Sequence, residues 1–377
     1  VPTNVALKIR KLPAYDKNFE QHLTDNHIYM DEPELEPGDL EEIRQRILRP
    51  RPSLSPSRFS NNAFKRFRQK NNRVINEGDV MRDVVPIMCG ESDILSKQDL
   101  LFTELAPIAN TIVDAKPDLY DGARSRDVEK KVREDIGDYI IPTGHAKAPV
   151  APNFFLEVKG PSGAADVMRR QACYDGALGA RAMHQLQSYK QEPIYDGSAY
   201  TITSTYHDGQ LKIFTTHPRA GPEGSTEYYM FQIGGWSIVG DLETCRQGLT
   251  VFRNARDWAQ EQRDAFILAA NEIARPVILE PPVSESFGRN YASDPIDVES
   301  AGYLTTNEDS VDSPLYYKTN SNTPVTAHPE EYETSADELA FDTDAQPNKR
   351  RKMAFEKTLS EATGQGDSKT GRRESKR

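Results

Sequence analysis

Apolar residues recur with the period of a strand or a helix only between about residues 75 and 275, which confines a packed core to that stretch. Length alone would allow the 377 residues two or three domains, but composition supplies too little apolar surface to offset the ordering of several cores: 37% of residues are hydrophobic, 25 are proline, and mean hydropathy is −0.69. Charge is segregated in the same way. Residues 276–346 hold 15 acidic and 2 basic side chains and residues 347–377 hold 10 basic and 4 acidic ones, so the first 275 residues carry only −4 of the net −11. The acidity belongs to a tail, 276–377, that is expected to be disordered and to end in basic clusters. Residues 1–42, polar and weakly periodic, are expected to be mostly disordered too.

Residues 43–74 read as a basic arm, since positions 43–73 hold ten arginines and lysines and no acid. Phe59, Phe64 and Phe67 interleave there with Lys65, Arg66 and Arg68. Such a stretch either stacks on bases while neutralising phosphates or anchors a short helix on the neighbouring domain. Ser55-Pro56, in its proline-broken centre, is a candidate phosphorylation site. Beyond residue 75 the elements become legible. An apolar run at 84–88 and one of helical or mixed spacing at 100–113 precede a predicted helix at 126–140, where Val128, Val132, Ile136 and Ile140 recur at every fourth position. A strand at 153–159, a helix at 163–190 and a hairpin of 200–206 with 211–214 around Asp208-Gly209 follow. A strand at 228–233 and an amphipathic helix or helix pair at 241–273, stopped by Pro276, complete the pattern.

Several classes are set aside. Cys89, Cys173 and Cys245 lie far apart with no CxxC and no histidine at zinc-ligand spacing, which argues for buried thiols and against a zinc site or a disulfide framework. No run approaches the roughly 20 apolar residues of a membrane span, and the first residues lack the pattern of a secretory signal. Lys349-Arg350-Arg351-Lys352, with Arg372-Arg373 and Lys376-Arg377, fits a signal read by a nuclear import receptor. The chain is therefore expected in the nucleus, or otherwise in the cytoplasm.

The chemistry concentrates in one segment. Phe154-Phe155-Leu156 leads into Glu157-Val158-Lys159-Gly160, and Glu157 and Lys159, two apart on a strand, project from one face. Glu129-Lys130-Lys131 has the same spacing, but it lies on a polar helix face and reads as solvated. Charged groups emerging at the end of a buried strand are placed where sites are built, although an ion pair at a strand edge is the structural alternative. Pro117-Asp118 precedes them. Carboxylates that hold a divalent ion, with a group that orients water, are what metal-assisted phosphodiester hydrolysis needs.

Pro117-Asp118 and Glu157-Val158-Lys159 together resemble the PD-(D/E)xK motif of the restriction-endonuclease-like superfamily. The text from Pro152 to Pro161 and from Arg170 to Ala177 is similar to an uncharacterised group of fungal proteins with a domain of unknown function. The resemblance implies an α/β domain over 75–275, with a restriction-endonuclease-like mixed sheet flanked by helices. It also implies Asp118 and Glu157 as ligands of Mg²⁺ or Mn²⁺, with Lys159 near the water. The predicted helix 126–140 makes the segment between the carboxylates longer than usual, so Asp114 or Asp121 is an alternative first ligand. RecB-like nucleases carry a Gln and a Tyr on the next helix, to which Gln171 with Tyr174, or Gln185 with Tyr189, is similar; Gln171 joins the candidate site, while Tyr174 also reads as a core tyrosine on the sheet. Gly176 and Gly179 imply a break in that helix or close packing on the sheet. Arg246, Arg253, Arg256 and Arg263, among Asp257, Glu261 and Asp264, read as a salt-bridged solvated face or as a phosphate track. The function implied is a nuclear Mg-dependent nuclease-like domain acting on nucleic-acid phosphodiester bonds. The alternative is a non-catalytic nuclear binding or regulatory protein that retains the fold.

Overall fold

The computed structural model describes residues 11–30, 32 and 34–275, all within one compact unit. The first elements are α1 (Phe19–Asp25), β1 (Ile28–Met30), α2 (Leu40–Ile47), α3 (Asn61–Asn71), the one-turn α4 (Glu77–Asp79), a π-helical turn (Val80–Val84) and α5 (Val85–Cys89). Then come β2 (Ser96–Gln98), β3 (Leu119–Ala123), α6 (Lys130–Ile140), β4 (Val150–Lys159), α7 (Ala165–Gln187), β5 (Thr201–His207), β6 (Gln210–Ala220), β7 (Thr226–Ser237) and α8 (Leu242–Ala274). The strands form one mixed sheet in the order β1-β7-β6-β5-β4-β3-β2. Strands β2, β3 and β4 are antiparallel neighbours, β4 and β5 run parallel across the α7 connection, and β5, β6 and β7 are antiparallel.

Strand β4 is buried along its whole length, and its alternation sorts two cores. Phe154, Leu156 and Val158 face a cluster built with α3, α5 and α8, whereas Phe155 faces one built with α1 and α7. Phe154 meets Phe252 of α8 edge-on at 5.4 Å between ring centroids, a geometry that adds roughly 0.5–1.5 kcal/mol to the gain from burial. A third cluster lies under α6, where Val128, Val132, Ile136 and Ile140 meet Met183 of α7 and Ile267 of α8. The hairpin turns at Asp208 (φ 45°) and Gly209 (φ 78°), the paired left-handed residues that an Asp-Gly two-residue turn requires.

Three expectations change, and the open choice for the basic arm is decided. The N-terminal segment is built into the domain from residue 11: Phe19, Leu23 and Ile28 are buried in the α7-side core, and β1 pairs with β7. One short helix and a three-residue strand are too brief to leave a periodic signal. The basic arm is docked, with Phe59, Phe64 and Phe67 buried in the α8-side core, so its aromatic rings are not open to bases. Residues 100–113 contain no helix or strand; Phe102, Leu105, Ala109 and Ile112 instead fill the α7-side core from an irregular segment. The arginines of α8 do not form a solvated face. Arg246 donates to Phe59 O (2.8 Å), Arg253 to Met88 O (2.9 Å) and Ile87 O (2.8 Å), and the buried Arg263 donates to Asn153 Oδ1 (2.8 Å). They tie the last helix to the arm and the sheet. Cys173 and Cys245 are buried and Cys89 partly so, and none of the three forms a disulfide. The acidic tail and its basic clusters lie outside the described residues.

Helix α7 runs unbroken through Gly176 and Gly179 because both lie against the sheet. A Cβ at Gly179 would sit 2.7 Å from Phe155 Cε2 and 2.8 Å from Thr201 Cγ2. Replacing Gly179 by Ala gains about 1 kcal/mol of helix propensity but adds overpacking of about 1–3 kcal/mol. Gly179→Ala is therefore expected to lower the denaturation midpoint, and an unchanged or raised midpoint would refute the close-packing account.

Candidate functional site

Strand register brings the motif together. The antiparallel pairs Leu119↔Leu156 and Tyr120↔Phe155 continue outward to Asp118 beside Glu157. The backbone N–H of Val158 donates to Asp118 Oδ2 at 2.7 Å, which fixes this carboxyl at the strand end. Glu157 is 1% exposed and Lys159 3%, and both stand on the α7 side with Phe155. Asp175 of α7 is buried and interacts electrostatically with Glu157. Gln171, one helical turn before Asp175 on the same face, has its Oε1 buried without a partner.

A residue outside the expected set completes the cluster. Lys159 Nζ donates to Glu77 Oε2 at 2.8 Å. Glu77 is held there by local chemistry: Asn76 caps α4 through Asp79 N–H (2.9 Å), and Asp79 Oδ2 accepts from Ile75 N–H (2.9 Å). Gly160 lets this turn approach, since a Cβ there would lie 2.8 Å from Asn76 Cα. Nothing in the sequence spacing links Glu77 with Lys159. Asp175 did leave a signal, as the one acid in the run Gln171-Ala-Cys-Tyr-Asp175-Gly-Ala-Leu178.

Four carboxyls thus surround one ammonium. Burial, then the charge of Glu77, holds Asp118 well above the usual carboxylate range, against the opposing pull of Lys159 and the Val158 N–H. Burial, then Asp118 and Asp175, does the same to Glu157. Burial pushes Asp175 up to about 7, the Glu157 contact and Lys159 restraining it. Burial alone would depress Lys159, but Asp118, Glu157 and Glu77 hold it above its ordinary value. Neither Glu157 oxygen nor Asp175 Oδ2 meets an N–H or O–H donor, so a proton shared between these two carboxyls is the internal bond open to them.

The other sequence candidates fall elsewhere. Asp121 points to the opposite face and is committed to Arg256, whose Nε and Nη2 donate to its two oxygens at 2.8 and 2.9 Å, with Ser96 Oγ donating at 2.7 Å. Asp114 is partly exposed and pairs with Lys11 at 2.5 Å. Of the three aspartates, it is Asp118 that couples to Glu157. Tyr174 packs in the α7-side core, and Tyr189 donates to Asp135 (2.6 Å) beside the third cluster, so neither tyrosine joins the carboxyls. Lys130 and Lys131 face solvent and pair with Glu134 and Asp135 one turn on.

Among the described residues, no three His, Cys, Asp or Glu side chains stand close enough to cage an ion as placed. No helix there is long and apolar enough to cross a membrane. Comparison with protein-family models, curated proteins and solved structures gave no match.

The raised carboxyls make stability depend on pH. A carboxyl whose pKa is higher folded than unfolded contributes stability that is full below its unfolded value and lost as pH rises through the folded one. For Asp175 that window runs from its ordinary value of 3.8 to about 7. In chelator, the wild-type protein is expected to lose stability between about pH 4 and pH 7, and Asp175→Asn to flatten that slope while raising stability at the alkaline end. Identical pH profiles for the two proteins by thermal unfolding would defeat this account of the cluster.

Proposed function

We propose that this chain carries a divalent-metal-dependent phosphodiesterase site of the nuclease type, with Asp118 and Glu157 as the metal ligands. The observation that carries the reading is the buried excess of carboxyl groups over ammonium, with both Glu157 oxygens lacking a donor. Buried charge must be neutralised by protons or by a counterion. Hard carboxylate oxygens at a strand end suit Mg²⁺ or Mn²⁺. The resemblance at Pro117-Asp118 and Glu157-Val158-Lys159 agrees with this, as does a helix following the Glu-x-Lys strand. The residues fit such an ion in charge and donor type, and the carboxyls would turn toward it from their present rotamers.

When bound, the ion supplies Lewis-acid stabilisation of charge on a phosphoryl oxygen and lowers the pKa of a coordinated water. The protein's own groups do the rest. Val158 N–H holds Asp118 in place, Lys159 stays protonated among acids and can orient a water or a phosphate oxygen, and Gln171 offers an uncommitted carboxamide oxygen from α7. Because the cluster is nearly closed to solvent, substrate access requires residues 75–79 to move off Lys159. That seal favours a second reading, a non-catalytic nucleic-acid-binding or regulatory protein of the same architecture. A nuclear address would rest on the basic clusters after residue 347.

Mg²⁺ or Mn²⁺ is expected to raise the unfolding midpoint by mass action. Glu157→Gln should abolish that rise together with cleavage of single- or double-stranded DNA or RNA. Lys159→Ala should retain a metal-induced rise while losing turnover by about 10²-fold or more. Metal-induced stabilisation without cleavage of any nucleic acid would select the second reading, and no stabilisation at all would remove the metal site.

A further inference from the structure

The basic arm keeps its charge on the surface after its rings are buried. Helix α3 is anchored through Phe64, Phe67 and Asn71. Helical spacing sets Asn62, Lys65, Arg66, Gln69 and Lys70 on the opposite side, and Arg73 follows just past the last turn; all six are exposed. No acid occurs between positions 43 and 76. Arg46 and Arg51 of the same arm are taken by Glu261 and Asp257 of α8, and Arg68 lies over the Phe64 ring at 5.7 Å. Asp79 and Asp83, the acids that follow Glu77, both accept from Arg82, at 2.7 and 2.9 Å. Among the described residues, no carboxylate pairs with Lys65, Arg66, Lys70 or Arg73.

The fold gains nothing from this face. Arg66 and Lys70 stand four apart, a like-charge spacing that destabilises a helix. The helix dipole favours cations in the last turn, which accounts for Lys70 but not for Lys65 and Arg66. A polyanion would relieve the repulsion and release the counterions it had gathered. An anionic membrane fits less well, because an interfacial helix inserts its apolar face, whereas Phe64 and Phe67 are buried in the protein.

Position ties the face to the carboxyl cluster. Tyr206 donates to Asn71 in the last turn of α3, and Tyr206 is the register partner of Val158. Farther along the same turn, Glu77 receives Lys159. The row of cations therefore ends beside the strand end that carries Glu157 and Lys159. Lys65 to Lys70 spans about 7.5 Å of helix axis, enough to meet about two phosphates of a strand that carries one charge every 3.4 Å or so of duplex axis.

We propose that the outward face of α3, formed by Lys65, Arg66, Lys70 and Arg73, docks the phosphate backbone of a nucleic acid and holds it beside the carboxyl cluster. The choice of nucleic acid as occupant rests on the phosphodiesterase reading of that cluster, while the docking itself needs neither metal nor carboxyls. With the rings buried, the contact is to backbone alone and is indifferent to base sequence.

The test is fluorescence anisotropy of a labelled duplex oligonucleotide with the full chain in chelator, where no cleavage occurs. The quadruple variant Lys65→Gln/Arg66→Gln/Lys70→Gln/Arg73→Gln should weaken binding on the order of a hundredfold, equally for unrelated sequences, and reduce the slope of log affinity against log salt by roughly 2 to 4. Its control removes the same net charge from exposed cations that already have acidic partners: Arg126→Gln/Lys130→Gln/Lys131→Gln/Arg275→Gln should shift affinity by less than about threefold. The charge-conserving swap Lys65→Arg/Arg66→Lys/Lys70→Arg/Arg73→Lys should bind like the wild type, which separates lost charge from a damaged helix. Equal losses in the two quadruple Gln variants would overturn the proposal. Failure of the wild-type chain to bind would overturn it too, leaving the face to another polyanion such as the chain's own acidic stretch 276–346. Binding to anionic phospholipid vesicles in place of the oligonucleotide, lost in the α3 variant, would overturn it in favour of a lipid surface. Binding that depends on α3 in a protein that neither takes up metal nor cleaves would sustain this inference while the catalytic reading falls. Metal-dependent cleavage with binding independent of α3 would do the reverse.

Discussion

Lys159 is one buried ammonium among four carboxyls, and much of the architecture around β4 follows from that imbalance. A lone charge of this kind could not be buried without partners. Asp118 arrives from β3, Glu157 from the same strand, Asp175 from α7 and Glu77 from the turn that follows the basic arm. The carboxyls in turn need the lysine, because without it their mutual repulsion would have no internal counterweight. Elements separated by about a hundred residues are therefore held in register by one side chain. The Val158 N–H bond to Asp118 shows how the backbone takes part: a carboxylate that accepts a main-chain donor at the strand end cannot drift from its neighbour without leaving that donor unsatisfied.

Asp118 and Asp121, three residues apart, illustrate how strand alternation divides similar groups between chemistry and construction. Asp121 and Leu119 face α8, where Arg256 clamps the carboxylate through two parallel hydrogen bonds over the ring of Phe154. Breaking a buried pair of that sort costs about 3–5 kcal/mol, and the pair leaves few vacant lone pairs for a ligand. Asp118 faces the other way, toward a lysine shared with three more acids. Both aspartates are buried and both are paired. What separates them is the ratio of acid to base, one to one at Asp121 and in excess at the Asp118 cluster.

That distinction was legible in part from the residues alone. Strand β4, the Asp-Gly hairpin and α8 announce themselves because apolar periodicity over ten or more positions survives local noise. Glu157 and Lys159 stand out because charged groups ending a fully buried strand are uncommon, and the choice among Asp114, Asp118 and Asp121 stayed open because it depends on register, which no local pattern encodes. Glu77 was invisible for a related reason, since its contact with Lys159 spans 82 positions. The arginines of α8 misled in the opposite sense. Spaced among acids on an amphipathic helix they look solvated, yet Arg246, Arg253 and Arg263 reach backbone carbonyls of the arm and of α5 and an asparagine of β4, acceptors that carry no charge and so leave no pattern. The basic arm likewise hides its anchors, for phenylalanines between cations read equally as stacking platforms or as core.

The same imbalance links the site's protonation to its proposed ion. Protons and a divalent cation are alternative ways of neutralising Glu157, Asp118 and Asp175, so they compete for one set of oxygens. Where the carboxyls hold protons, the cluster is satisfied internally and residues 75–79 can stay closed over Lys159. Where the protons are lost, the burial that raises Asp175 to about 7 and the repulsion that adds to burial at Glu157 become a driving force either for loosening the cover or for taking up a cation. Opening and metal binding would then be favoured by the same deprotonation, near neutral pH, with Glu77 withdrawing from Lys159 as the lysine becomes available to a phosphate. On the proposed reading, the seal seen here and an open, metal-bound site would be two charge states of one cluster.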